Sequence, residues 1–119
     1  MGYDDGIEVV RLFIEALNAR DDEALRALVS EDVELRKPKS DQVLRGEGAL
    51  QALVTAAADL GIVLARAGRE TADAEGHRVS VPVVEITASG DRLEATAEFE
   101  LRDGKIVSFG VAPDQVRGA

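Results

Sequence analysis

The sequence predicts an α+β fold, with three helices leading into a mostly antiparallel sheet. Three observations carry that expectation. Up to Gly61 the apolar residues recur mainly at helical spacing, interrupted by one short stretch of strict alternation. After Gly61 the chain changes to runs of Val, Ile, Leu and Thr separated by turn signals at Ala74-Glu75-Gly76, Ser89-Gly90-Asp91 and Asp103-Gly104. With 119 residues there is chain for one domain, residues 1–119, burying roughly 65% of its unfolded surface around a single core.

The first helix is expected over 5–19, where Ile7, Val10, Ile14 and Leu17 form a stripe that Val9, Phe13 and Ala16 widen. A short second helix follows, with Asp21 or Asp22 as its N-cap, Leu25, Leu28 and Val29 as its apolar face and Ser30 near its stop. Val33 and Leu35 then alternate with Glu34 and Arg36, the pattern of a half-buried strand, and Pro38 keeps the residue before it extended. Lys37 shares the parity of Val33 and Leu35. The third helix opens at the Gly46/Gly48 pair, buries Leu50, Leu53, Val54, Ala57 and Leu60, and stops at Gly61. Four strands are expected near 62–72, 77–88, 92–102 and 105–112, and their short turns make them an antiparallel meander. In 92–102, Leu93, Ala95, Ala97, Phe99 and Leu101 share one face, opposite Glu94, Thr96, Glu98 and Glu100. In 77–88 both parities are apolar, and Val84 and Ile86 are read as inward, Val79, Val81 and Val83 as outward. Apolar residues on both faces imply a sheet covered twice, with a partner subunit as one cover.

Composition excludes several function classes. A net charge of −9 repels phosphates and anionic lipid, so neither nucleic acid nor membrane is expected as a partner. The chain has no cysteine and one histidine, which removes disulfides, thiol chemistry, Fe–S clusters and Cys/His zinc sites; no metal or cofactor is expected. No apolar run approaches the ~18 residues of a membrane span, and a cytoplasmic location is the expectation. Aromatic residues make up 3%, so the core must be aliphatic.

The stretches "RLFIEALNARDDEALRALVSEDVEL", "LRGEGAL" and "FELRDGKIVSFGV" resemble the opening helices and first strand, the strand-to-helix turn and the final hairpin of the nuclear-transport-factor-2-like, or SnoaL-like, superfamily. That resemblance spans nearly the whole chain. It implies a cone in which a curved sheet wraps the helices, with a ligand pocket at the open end. It does not select one activity, because the superfamily holds isomerases, epoxide hydrolases, cyclases, dehydratases and non-catalytic modules. Its ketosteroid-isomerase-like branch needs a carboxylate base before a proline, a tyrosine on the first helix and a protonated aspartic acid on a central strand. The resemblance puts Lys37, Phe13 and Ala97 at those places, so isomerase chemistry of that type is not expected. An inward Asp–Arg–Asp set for epoxide hydrolysis is also missing.

The implied pocket lining is Phe13, Leu17, Leu35, Lys37, Val84, Ile86, Ala97, Phe99, Phe109 and Val111. Lys37 reads either as a desolvated amine that binds an anion or carbonyl, or as a stem along the rim with its ammonium in water. The three phenylalanines are core filler or flat ligand walls. Glu85 is outward in this register and becomes a pocket acid if the strand slips by one residue. His77 reads as a polar turn residue. Glu94, Glu98 and Glu100 form a solvated stripe beside arginines such as Arg66, Arg69 or Arg78. The expected function is binding of a small, largely apolar molecule in the cone. The alternatives are an isomerase, cyclase or hydratase, and an assembly module using an outer patch around Val79, Val81 and Val83. A homodimer is expected.

Overall fold

The computed structural model describes residues 3–36, 42–46, 48–75 and 77–113. Helix α1, Tyr3–Ala19, buries Val10, Phe13, Ile14, Ala16 and Leu17, the face its spacing predicts. It ends at Arg20, a non-glycine residue at φ 58°. Arg20's guanidinium compensates by donating to the carbonyls of Leu17 (3.0 Å), Ala57 (3.3 Å) and Ile62 (2.7 Å), tying the end of α1 to the end of the third helix. Helix α2, Asp22–Leu28, starts where Asp21 Oδ1 accepts from the Ala24 amide at 3.1 Å. At its other end Lys105 Nζ donates to the Ala27 carbonyl at 2.7 Å, a cation at the negative end of the helix.

Strand β1, Val29–Arg36, begins four residues before the expected alternation, and a three-residue strand β2, Val43–Arg45, pairs with it. β2 is too short to show a period, so the sequence pattern does not reveal it. Helix α3, Ala49–Leu60, stops at Gly61 in the left-handed region (φ 63°), with the Ile62 amide returning to the Ala57 carbonyl at 2.9 Å. A Cβ on Gly61 would lie 2.5 Å from Ala88 Cβ and 3.2 Å from its backbone. Gly61→Ala is therefore expected to cost about 1–3 kcal/mol, from strain plus crowding, read as a lower urea midpoint at unchanged slope.

The remaining strands are β3 (Val63–Arg66), β4 (Thr71–Ala72), β5 (Arg78–Ile86), β6 (Arg92–Arg102) and β7 (Lys105–Pro113). Sheet order is β2-β1-β7-β6-β5-β3, with β4 also paired to β5. β1 and β7 run parallel and the other pairs antiparallel, an α+β architecture with the helices on one face. The single strand expected over 62–72 is split, because after Ala67, whose amide still donates to the Pro82 carbonyl at 2.8 Å, residues 68–70 leave the ladder and carry Glu70 inward. The Glu70 carboxylate is buried, and it receives Arg11 Nε at 3.0 Å and Nη2 at 3.3 Å and pairs with Arg66. Arg66 is thus engaged with Glu70, while Arg78 is the arginine that faces the acidic stripe, opposite Glu100.

The hydrogen bonds from Arg11 hold the Glu70 carboxyl below its ordinary value of 4.5. A depressed carboxylate pKa adds stability that is complete above the unfolded value and is lost as pH falls through the folded one. Glu70→Gln should lower stability at pH 7 by about 1–2 kcal/mol and flatten the loss of stability between about pH 5 and pH 3. Urea unfolding of both proteins across that range checks it.

The register of β5 corrects the sequence reading. Val79, Val81, Val83 and Glu85 stand opposite Phe99, Ala97, Ala95 and Leu93 of β6, and directly opposed residues of an antiparallel pair point to the same face. Ala95, Ala97 and Phe99 are buried, so the β5 residues facing them are too, with Val79 and Val81 at 0% exposure and Glu85 at 6%. Val84 and Ile86, expected in the pocket, face outward opposite Glu94 and Arg92. The outward patch of Val79, Val81 and Val83 does not exist, and the dimer argument built on it falls away. "RVSVPVVEI" is apolar on both parities, so nothing local chooses a face; its pairing with β6 does.

Candidate functional site

The helices and the concave face of the sheet enclose one aliphatic core centred on three aromatic rings. Phe13 from α1, Phe99 from β6 and Phe109 from β7 meet with centroids 4.9 to 5.6 Å apart. Beyond Phe109, toward the ends of α1, α3 and β5, a cavity of about 30 Å³ remains. Leu17, Leu53, Ala57, Ile62, Leu64, Phe109 and Val111 supply its apolar wall, and Asn18, Arg20, Arg36 and Glu85 its polar groups.

Three of these polar groups have a local cause. Asn18 follows Leu17 at the edge of the buried stripe of α1, which brings its amide to the free edge of β3. Its Nδ2 donates to the Leu64 carbonyl at 3.0 Å and its Oδ1 accepts from the Leu64 amide at 2.9 Å, so one side chain completes the ladder of an edge strand. Arg20 is held by the three carbonyls at the ends of α1 and α3. Glu85 stands on the inner face of β5, between Leu64 of β3 and Leu93 of β6. Two of the four polar groups thus bind backbone, and Glu85 brings a buried carboxylate to the cavity wall.

Of the residues the sequence nominated, Leu17, Phe109 and Val111 line the cavity. Phe13, Leu35, Ala97 and Phe99 lie deeper, at 0 to 2% exposure, as core. Lys37 lies outside the described residues. The apolar wall read as free of acid contains Glu85. Sequence reasoning left Asn18, Leu53 and Leu64 out of the site and gave Glu85 as a pocket acid only for a strand shifted by one residue, the face that β5 takes against β6; nothing in the sequence marks Asn18 as a strand cap.

The convex face is different in character. A shallow hollow of about 340 Å³ there is floored by Ser80, Ser108 and Gly110 and walled by Glu34, Arg36, Arg78, Glu98 and Glu100. Charges of both signs alternate across the strands, the usual dress of a solvated sheet face. Among the described residues no group of three or more His, Cys, Asp or Glu side chains is placed to hold a metal, and no helix is long and apolar enough to cross a membrane.

A family model described as the SnoaL-like domain matches residues 10–109. The chain belongs to the SnoaL-like domain family. Solved structures place this SnoaL-like domain among nuclear-transport-factor-2-like cones. An NTF2-like protein from Burkholderia xenovorans LB400 is 23% identical, with a TM-score of 0.72 over 96% of this chain and 92% of the other. A candidate polyketide cyclase from Xanthomonas campestris pv. campestris is 24% identical, at 0.75 over 93% and 91%. TerC, co-crystallised with polyporic acid, is 20% identical, at 0.77 over 92% of both chains. At these identities the likeness is one of fold. No curated protein matches the sequence.

Proposed function

We propose that this SnoaL-like domain binds a small, largely apolar molecule at the open end of its cone. The observation that carries the reading is the cavity bounded by Leu17, Leu53, Leu64, Phe109 and Val111, with a buried carboxylate, Glu85, on its wall. An apolar hollow with a few placed polar groups is the usual form of a small-molecule site. Two similar folds support it, a candidate polyketide cyclase and the TerC complex with polyporic acid.

Size limits what the site takes. Ligand pockets usually measure roughly 300–1,000 Å³, and about 30 Å³ is the volume of one water. The ligand therefore seats a head group in the cavity while its body lies across the mouth of the cone. Phe13 and Ala97, at the positions where the resemblance sets the ketosteroid-isomerase donors, are fully buried and carry no hydrogen-bond donor of their own.

Glu85 favours a second reading, an enzyme of the isomerase, cyclase or hydratase class in which this carboxylate accepts a proton from the bound head group. Turnover that Glu85→Gln abolishes while ligand binding persists would select it. Pairing of two copies through the outer face belongs to the same proposal, now through Val63, Val84 and Ile86, which share the outward parity of β3 and β5 beside Glu94 and Arg92. Sedimentation at high concentration should give a dimer, and a monomer removes that part.

A thermal-shift panel of steroids, aromatic polyketides, aromatic acids and polyporic acid tests the main reading. A true ligand at a hundredfold over its Kd adds about 2.7 kcal/mol of stability. A flat response across the whole panel contradicts it.

A further inference from the structure

We infer that the hollow over β7 on the convex face seats a second copy of this chain, with a two-fold axis along β7 that sets Arg36 of each copy against Glu98 of the other. The inference rests on the pairing of two copies through the outer face and adds the register in which they meet. The outward residues of β7 are Ser108, Gly110 and Ala112, all small, standing opposite Glu100, Glu98 and Thr96 of β6. On the other side β1 pairs Glu34 with Ser108 and Leu35 with Phe109, which brings Arg36 beside Gly110. β7 is therefore a trough between two charged strands, and the hollow of about 340 Å³ lies over it.

Gly110 is not in the left-handed region that favours glycine, and a glycine inside a strand weakens it. Close approach of another backbone is the usual reason for one there. A Cβ on Gly110 would stand 3.3 Å from Arg36 Cβ and 3.6 Å from its Nε, so the arginine stem lies against the glycine. Among the described residues neither Arg36 nor Glu98 has an ion-pair partner.

Aligned sheets packed face to face keep their strands within about 30° of one another. An axis along β7 then lays β1 of one copy over β6 of the other, and the symmetry makes the same contact twice. Arginines and glutamates alternate around the axis. The next row is balanced within each copy, since Glu34 pairs with Arg45 at 3.0 Å and Glu100 stands opposite Arg78. An axis along β6 would instead set Glu94, Glu98 and Glu100 against their own copies. Val63, Val84 and Ile86 stay at the margin of a pair centred on β7, and the concave cavities face away from it.

Sedimentation equilibrium of the full chain at neutral pH reads the pairing. The parent should be a dimer at high concentration. Arg36→Glu leaves only carboxylates around the axis and Glu98→Arg only guanidinium groups, and each should raise the dissociation constant at least about tenfold, because charges pressed between two sheets are poorly screened. Arg26→Glu, at an exposed arginine of α2, changes the net charge as Arg36→Glu does and should leave pairing as it is. An equal mixture of Arg36→Glu and Glu98→Arg should form the heterodimer in preference to either homodimer, as resolved by native mass spectrometry. The double variant, with the charges exchanged within one chain, should pair like the parent.

A parent dimer that is indifferent to both single charge reversals overturns this register and leaves pairing elsewhere on the outer face standing. So does a mixture without preference for the heterodimer, or a double variant that stays monomeric. A parent that is monomeric at high concentration removes the pairing and its register together, while the ligand reading of the concave cavity is untouched.

Discussion

Phe13→Ala is expected to remove about 3–5 kcal/mol of stability, the usual cost of deleting a buried phenylalanine. Phe13 is fully buried and its ring touches those of Phe99 (5.6 Å) and Phe109 (4.9 Å), so its loss opens a void at the point where α1 meets β6 and β7. Helices and sheet cannot close that gap independently, because Val10, Ile14 and Leu17 on the same face of α1 are themselves packed in the core. A domain of this size has about 5–15 kcal/mol in total, so the variant loses a large share of its stability. Phe13→Leu, which fills much of the space, should recover more than half of the loss. A urea midpoint within experimental error of the parent would show that the ring cluster does not organise the core.

Asn18→Ala should cost about 2–3 kcal/mol, although a polar residue is being replaced by a good helix former. The helix gains a little. The strand loses both partners of Leu64, whose side chain is buried and whose amide and carbonyl are the groups Asn18 satisfies. Leaving two backbone groups unpaired beside a core accounts for the larger number. Asn18→Asp keeps the acceptor for the Leu64 amide and turns a second oxygen toward the Leu64 carbonyl, so it should not restore stability. Hydrogen exchange locates the effect: the Leu64 amide should lose protection in Asn18→Ala by more than amides at the centre of β6. Uniform loss across the sheet would mean that Asn18 acts through global stability alone.

The sequence reveals elements with a period and conceals those settled by pairing. The stripe of α1, the Asp21 cap, the left-handed stop at Gly61 and the clean alternation of β6 are local signals, and each stands in the structure as expected. β5 carries a mixed signal, because Val79, Val81 and Val83 on one parity are followed by Glu85, and Ser80 and Pro82 on the other by Val84 and Ile86, until β6 chooses between them. That one strand moved Val84 and Ile86 out of the pocket and brought Glu85 in, and with the exchange the late-strand wall of the cavity changed from apolar to mixed. Asn18 and Arg20 were illegible for another reason. Their hydrogen bonds reach backbone groups 46 and up to 42 residues away in the chain, and no spacing rule connects a helix residue to a distant strand edge.

The central claim is that the inner face of the cone beside Glu85 receives the ligand, and amide chemical-shift mapping tests it most directly. Titrating benzyl alcohol into isotopically labelled protein should move the resonances of Leu64, Glu85, Phe109 and Val111 together along one binding curve. Shifts gathered instead at Ser80, Glu98 and Ser108 would place binding on the convex face, and the account of the site would be contradicted.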